Sequence, residues 1–375
     1  MGKSIATPSS KIKLRKRVGI PKGLIYYHYP EIFRIFFEEL GAEVIFSKDS
    51  SHTLLLEALH YASDEECFSC KIFLGHIKDL TEKVDYLFLP KFHGTHKSEI
   101  NCPKFIGLPD VIRAVFEDLP QLLVPYHSRT KKKHRSLHLI WSAFTVGYKI
   151  TKNPIKITRA IIRAVKAQKK YEEQIKWNEE QLHAWELDTK SQSGLEKIKI
   201  VLLGHAYVLH DPILSFDIPQ RLREMGVELI TSEEMPSSII EKQLKKLHSY
   251  LYFKEERCIV GSALYFLENE TIDGILQLIP YPCGPTAISS EIIMRYAKKK
   301  EKIPLIQLMV DDNTGEAGLV TRLEAFVNTM KRKKLLQLQE LHKQKNLVIK
   351  QIHKVDPVEL MIVKLTSIEE EGTMK

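Results

Sequence analysis

Short apolar runs alternate with helix-length segments from Val18 to Thr329, and this alternation restricts the fold more than any other property of the chain. A strand followed by a helix and a second strand closes most readily as a parallel crossover unit, so the pattern predicts an α/β protein with doubly wound parallel sheets. In the first half, strands are expected at Val18 to Pro21, Val44 to Phe46, Asp85 to Leu89 and Gln121 to Pro125. Helical spacing marks Glu31 to Leu40, which Gly41 stops, then Leu54 to Ala62, Cys70 to Leu80 and Pro109 to Phe116. The second half repeats the pattern. Its strands are expected at Ile198 to Leu203, Val227 to Ile230, Gly274 to Ile279 and Pro304 to Met309, and its helices at Ile218 to Met225, Ser237 to Leu247, Ser289 to Lys299 and Leu319 to Thr329.

Between the halves, Asn153 can cap a helix and Pro154 is tolerated at its first position, so Ile155 to about Leu187 reads as one long connecting helix. The expected division is a basic tail over 1–17, a first α/β domain over 18–150, the connecting helix and linker over 151–195, a second α/β domain over 196–330, and a basic helix with a polar tail over 331–375. With 375 residues, 43% of them hydrophobic, both domains can bury a core of their own.

Met1 to Arg17 has no apolar segment to act as a signal peptide or anchor, and the stretch Leu137 to Tyr148 is too short and interrupted to span a bilayer. A cytoplasmic protein without a membrane partner is therefore expected. The net charge is +9, with cations bunched at Lys11 to Arg17, Lys131 to Arg135, Lys298 to Lys300 and Lys331 to Lys334. No aromatic residues interleave with these runs, so they read as solvated helix ends and tails rather than a nucleic-acid surface.

Five cysteines in a chain of this length do not make a disulfide framework and suit a compartment that keeps thiols free. Three stand in loop-like settings: Asp64-Glu65-Glu66-Cys67, Asn101-Cys102-Pro103 and Tyr281-Pro282-Cys283-Gly284-Pro285. Cys283 follows an expected strand and precedes a helix, which puts it in the crevice where open parallel sheets bind ligands. Cys67 and Cys102 both precede helical segments. If the two domains face each other the three sulfurs converge, and converging thiolates suit zinc or an iron–sulfur cluster. A rival set, Cys67-x-x-Cys70, His93-x-x-His96 and Cys102, has tighter histidine spacing than a zinc finger and places Cys70 inside a helix. Gly2-Lys3-Ser4 lacks the rest of a phosphate-binding loop. The run Asn313 to Gly318 reads equally well as a functional loop and as a strand-to-helix turn.

Several stretches together resemble the activase-related proteins of the 2-hydroxyacyl-CoA dehydratase superfamily, over roughly residues 18–330. They are Val18 to Leu24, Phe36 to Val44, Cys102 to Pro109, Cys283-Gly284-Pro285 and Gly315 to Phe326, the last being the longest and most specific. The resemblance implies two flavodoxin-like or Rossmann-like domains with a [4Fe-4S] cluster between them, held by Cys67, Cys102 and Cys283, with a fourth iron open to substrate or another ligand. Cys70 and Cys258 match no ligand position. It further implies an ATP-hydrolysing activator as electron donor, an acyl-CoA as substrate class, and a homologous subunit or second copy as partner. The function expected on this basis is an iron–sulfur redox protein that dehydrates or reduces a small molecule. The alternative is a non-catalytic scaffold or electron-relay subunit of such a system. No thioester pocket and no catalytic base can be read from the sequence.

Overall fold

The structure is a computed structural model, and it describes residues 15–93, 100–127, 135–188, 197–300 and 302–352. The basic run 11–14, the Gly2-Lys3-Ser4 triplet, His96, Lys131 to His134 and the tail beyond Ile352 lie outside the described residues. Among the described residues ten strands form in chain order: β1 (Arg17–Ile20), β2 (Glu43–Phe46), β3 (Tyr86–Phe88), β4 (Lys91–Phe92), β5 (Gln121–Leu123), β6 (Tyr126–His127), β7 (Ile198–Leu203), β8 (Val227–Thr231), β9 (Gly274–Pro280) and β10 (Leu305–Val310).

One four-stranded sheet has the order β2-β1-β3-β5 and the other β10-β9-β7-β8, and every pairing is parallel. Numbered within its own half, each sheet reads 2-1-3-4, the order of flavodoxin-like doubly wound folds. The short pair β4-β6 lies just beyond β3 and β5 in the chain and is also parallel. The α/β architecture expected from the alternation is thus present twice.

β7 and β9 are buried on both faces, as parallel strands covered by helices must be. The first core gathers Val18, Ile20, Phe37, Phe88 and Leu123 with Ile157, Ala160 and Ala164, and the second gathers Val201, Leu203, Ile230, Val260, Phe266 and Ile275. Gly41 ends the helix Pro30–Glu39 with φ +81, a backbone state that glycine adopts without strain.

Several helices differ from the sequence expectation, Arg135–Ile150 among them. The long connector is two helices, Pro154–Ile175 and Glu179–Leu187, because Asn178 opens a new one with a capping box to Gln181. The first of them packs into the first core through Ile157, Ala160 and Ala164, and the second reaches the other core through Leu182. The helix expected from Pro109 starts at Pro103, with Pro109 inside it, although an interior proline removes a backbone hydrogen bond at a cost of about 3 kcal/mol. The helix Lys254–Asn269 has no counterpart among the expected elements. At the far end, Glu316–Ile352 is one continuous helix that runs from the compact unit ending at Leu319 into a second unit beginning at Val320.

A buried polar chain ties the halves together. The backbone N–H of Lys22 donates to Ser47 Oγ at 2.8 Å, Ser47 Oγ lies 2.9 Å from His76 Nδ1, His76 Nε2 lies 3.0 Å from Ser50 Oγ, and Ser50 donates to Asp211 of the second half. Asp211 also accepts from Tyr27 Oη at 3.4 Å and caps Ile213 N and Leu214 N. Ser50 spends its proton on Asp211, so His76 carries its own on Nε2 and is neutral. Burial pushes the His76 imidazole down from 6.5 to about 4. A depressed base contributes stability that is complete above its unfolded pKa and is lost as the pH falls. The protein should therefore lose about 3 kcal/mol of unfolding free energy between pH 6.5 and 4 through this group. Urea titrations at both ends of that window should show a smaller loss in His76→Gln, and equal losses in the two proteins would refute the assignment.

Candidate functional site

Three helices begin at the predicted cysteines. Cys67 is the N-cap of Phe68–Thr81 (φ −56, ψ 133), Cys102 is the N-cap of Pro103–Val115 (φ −51, ψ 135), and Cys283 directly precedes Gly284–Lys300. Cys283 follows β9, Cys102 follows the short strand β4, and Cys67 follows β2 with the helix His52–Leu59 between, so all three come after the carboxyl ends of parallel strands. Proline at the first helical position fixes the entry geometry after Cys102, where the missing N–H is no loss.

The three thiols line one cavity of about 90 Å³ between the two halves, well above the ~10–15 Å³ that a single water needs. Its walls also include Cys70, His28, His205, Tyr207, Glu255 and Glu256. The halves are stitched around it by Phe68 N donating to Tyr281 O at 2.9 Å, by Ile100 N donating to Tyr252 O at 2.8 Å, and by the buried ion pair of Lys71 with Asp312 at 2.8 Å. Asp312 belongs to the loop before Gly315, so that run has a structural task in holding the Cys67 helix against the second half.

The thiols are not electrostatically equivalent. Cys67 is lowered to about 6, chiefly by a hydrogen bond from the Cys70 thiol; burial opposes this, and the N–H groups of Ser69 and Cys70 reinforce it. Cys70 is raised well above the usual thiol range by that same bond and by burial. Burial raises Cys102, partly offset by the N–H groups of Lys104 and Phe105. Cys283 is pushed up to about 12 by burial, against hydrogen bonds from the Thr286 hydroxyl and N–H. Backbone donors at helix amino termini thus face every one of the three sulfurs, an arrangement that favours negative charge.

On the second half's side a buried polar cluster adjoins Cys283. His205 Nε2 lies 2.7 Å from Glu256 Oε1, Tyr207 Oη lies 2.8 Å from His205 Nδ1, and Thr286 Oγ1 is 3.1 Å from both Glu256 Oε1 and Cys283 Sγ. The His205, Glu256 and Cys283 donor atoms all fall within 4.8 Å of one another. Burial lowers His205, but the charge and hydrogen bond of Glu256 outweigh it and hold the imidazole above its ordinary value. Tyr207 stacks on His205 at 4.9 Å between ring centroids.

The family model described as "CoA enzyme activase uncharacterised domain (DUF2229)" matches residues 17–235, more than half of the chain. The chain belongs to this CoA enzyme activase-related family. No curated protein matches it. Two solved structures superpose on it loosely. A protein from Salmonella typhimurium LT2 described as sugar binding is 12% identical, with 80% of this chain and 79% of that chain covered and a TM-score of 0.23. A LacI family transcriptional regulator from Arthrobacter sp. FB24, in complex with lactose, is 13% identical, with 84% and 91% covered and a TM-score of 0.19. Neither carries an argument about this protein, and the fold assignment rests on its own strand order. The family match spans Cys67, Cys102, His205 and Tyr207, whereas Glu256 and Cys283 lie beyond it and reach the cavity through the fold.

The structure brings Cys67, Cys102 and Cys283 to one place, and adds Cys70. Of the rival zinc set, His93 is not among the cavity's lining residues. Cys258 packs against the second core and also stands apart from the cavity. Sequence reading missed His205, Tyr207, Glu256 and Thr286. Gly204-His205 at the end of a six-residue apolar strand, and Glu255-Glu256 at a helix start, were the available signals. In metal-free protein, the iodoacetamide labelling rate of Cys67 should rise through a midpoint near pH 6, a rise that Cys283 does not share. Uniform labelling would contradict the described environment.

Proposed function

We propose that this chain is the iron–sulfur member of a CoA enzyme and activator system. In this reading Cys67, Cys102 and Cys283 hold a [4Fe-4S] cluster, an ATP-hydrolysing activator supplies low-potential electrons, and the electrons serve to dehydrate or reduce a small molecule of the acyl-CoA class. The observation that carries the reading is the meeting of three thiols from distant segments, each at a helix amino terminus, in one cavity inside a CoA enzyme activase-related chain.

The donor set fits such a group. Three thiols with backbone donors behind them suit a thiolate-held cluster whose overall charge is negative. Glu256 Oε2 is buried without a hydrogen-bond partner among the described residues, and an unsatisfied buried carboxylate oxygen calls for a cation or an ordered water. When bound, the cluster supplies one-electron transfer and, at an iron without a thiolate, Lewis acidity. The chain's own contribution is to exclude bulk water with Tyr207 and Phe105, to orient Cys283 through Thr286, and to hold a proton on His205 Nε2 against Glu256.

A second reading, an electron relay or scaffold without turnover, is favoured by the cavity's size. About 90 Å³ is well short of the ~300–1,000 Å³ typical of small-molecule sites, so a CoA ester would have to approach from outside.

Protein purified without oxygen should contain about four irons and four acid-labile sulfides per chain. Cys67→Ala, Cys102→Ala and Cys283→Ala, each still folded by circular dichroism, should lose most of them. Zinc in place of iron, or no metal after anaerobic reconstitution, would overturn the redox reading. With the cluster established, turnover of 2-hydroxyacyl-CoA esters in the presence of a matched activator would favour the enzyme over the relay.

A further inference from the structure

Among the described residues, Glu256 is the carboxylate that reaches the cavity from a buried position with an oxygen left over. It is the third residue of the helix Lys254–Asn269 and only 2% exposed. Its Oε1 is clamped by His205 at 2.7 Å and Thr286 at 3.1 Å, which fixes the plane of the carboxylate. Its Oε2 has no hydrogen-bond partner among the described residues. Thr286 joins it to Cys283, since the same hydroxyl lies 3.1 Å from the sulfur.

Leaving a buried carboxylate oxygen unpaired costs on the order of 1–3 kcal/mol, and more when it is charged, so the arrangement requires a partner for Oε2. The cavity against it is lined by Cys67, Cys102 and Cys283. Three thiols satisfy three irons of a four-iron cluster and leave one without a protein sulfur. Cys70 is the other candidate for that iron, a further sulfur from the half that already contributes two. Glu256 has a free donor atom, its orientation is already fixed, and it comes from the half that contributes a single cysteine.

We infer that Glu256, through Oε2, is the fourth protein ligand of the metal group held by Cys67, Cys102 and Cys283, with His205 and Thr286 as the residues that position it. The inference rests on the cluster reading above. On this reading Glu256 would give the fourth iron an oxygen ligand, a weaker attachment than a fourth thiolate.

The test is pulsed electron paramagnetic resonance on the reduced, anaerobically purified full-length chain, labelled with carbon-13 at glutamate carboxylates. The wild type should show a carbon-13 coupling to the cluster, and Glu256→Gln should lose it while retaining iron and sulfide. Cys70→Ala should keep the coupling. Oxidation with ferricyanide releases one ferrous ion and one electron from a four-iron cluster to leave a three-iron form, and Glu256→Gln should make that conversion faster than in the wild type. A wild-type cluster with no carbon-13 coupling, or a coupling that survives in Glu256→Gln, would overturn the inference and leave water or Cys70 at the fourth iron, with the cluster reading untouched. A chain without any cluster would remove both readings. Should Glu256→Gln fail to fold, His205→Gln frees the clamp on Oε1 instead. A weakened or shifted coupling there supports the inference, and an unchanged one counts against it.

Discussion

Backbone N–H groups at three helix amino termini face three sulfurs across one small cavity, and the surrounding structure is arranged to keep them there. Each helix end carries unsatisfied donors and a partial positive charge, and a cysteine at the cap position offers the soft anion that can meet them. The same feature explains why burial alone does not decide these thiols. Cys283 sits high because desolvation dominates, whereas Cys67 sits low because the Cys70 thiol and two N–H groups overcome it.

The two halves arrive at this cavity by related routes. Both sheets have the same 2-1-3-4 order, and in both the second strand is followed by two helices and the third by one. Cys102 and Cys283 then occupy corresponding places, each before the helix that follows the third strand. Cys67 corresponds to Phe253, and Cys70 to Glu256, each the third residue of its helix. The first half therefore supplies sulfur at three of its positions, while the second supplies one sulfur and one carboxylate. The asymmetry is chemical rather than architectural, and it is what gives the cavity an oxygen donor on one side.

Much of this was legible in the sequence. The strand and helix alternation follows from local periodicity and gave the sheet class, and loop settings marked Cys67, Cys102 and Cys283, the last two with prolines beside the sulfur. The break of the connector at Asn178 was hidden, because the charged residues on either side keep helical spacing and only the reciprocal capping with Gln181 ends one helix and begins the next. Pro109 misled for the opposite reason: it reads as a helix start, yet tertiary packing carries the helix back to Pro103. His205 and Glu256 lie 51 residues apart, and nothing local to either announces that a buried pair will form. Long-range pairing of this kind depends on how the helix Lys254–Asn269 packs beside β7 within the second half, which periodicity does not encode.

The claim on which the rest depends is that one metal group sits among these sulfurs. Anomalous diffraction recorded above and below the iron edge, from crystals grown and frozen without oxygen, tests it most directly. The account predicts a compact iron peak inside the cavity, in contact with Cys67, Cys102 and Cys283 from the two halves. Anomalous density at the zinc edge alone, or iron bound elsewhere with the three sulfurs merely packed together, would contradict it.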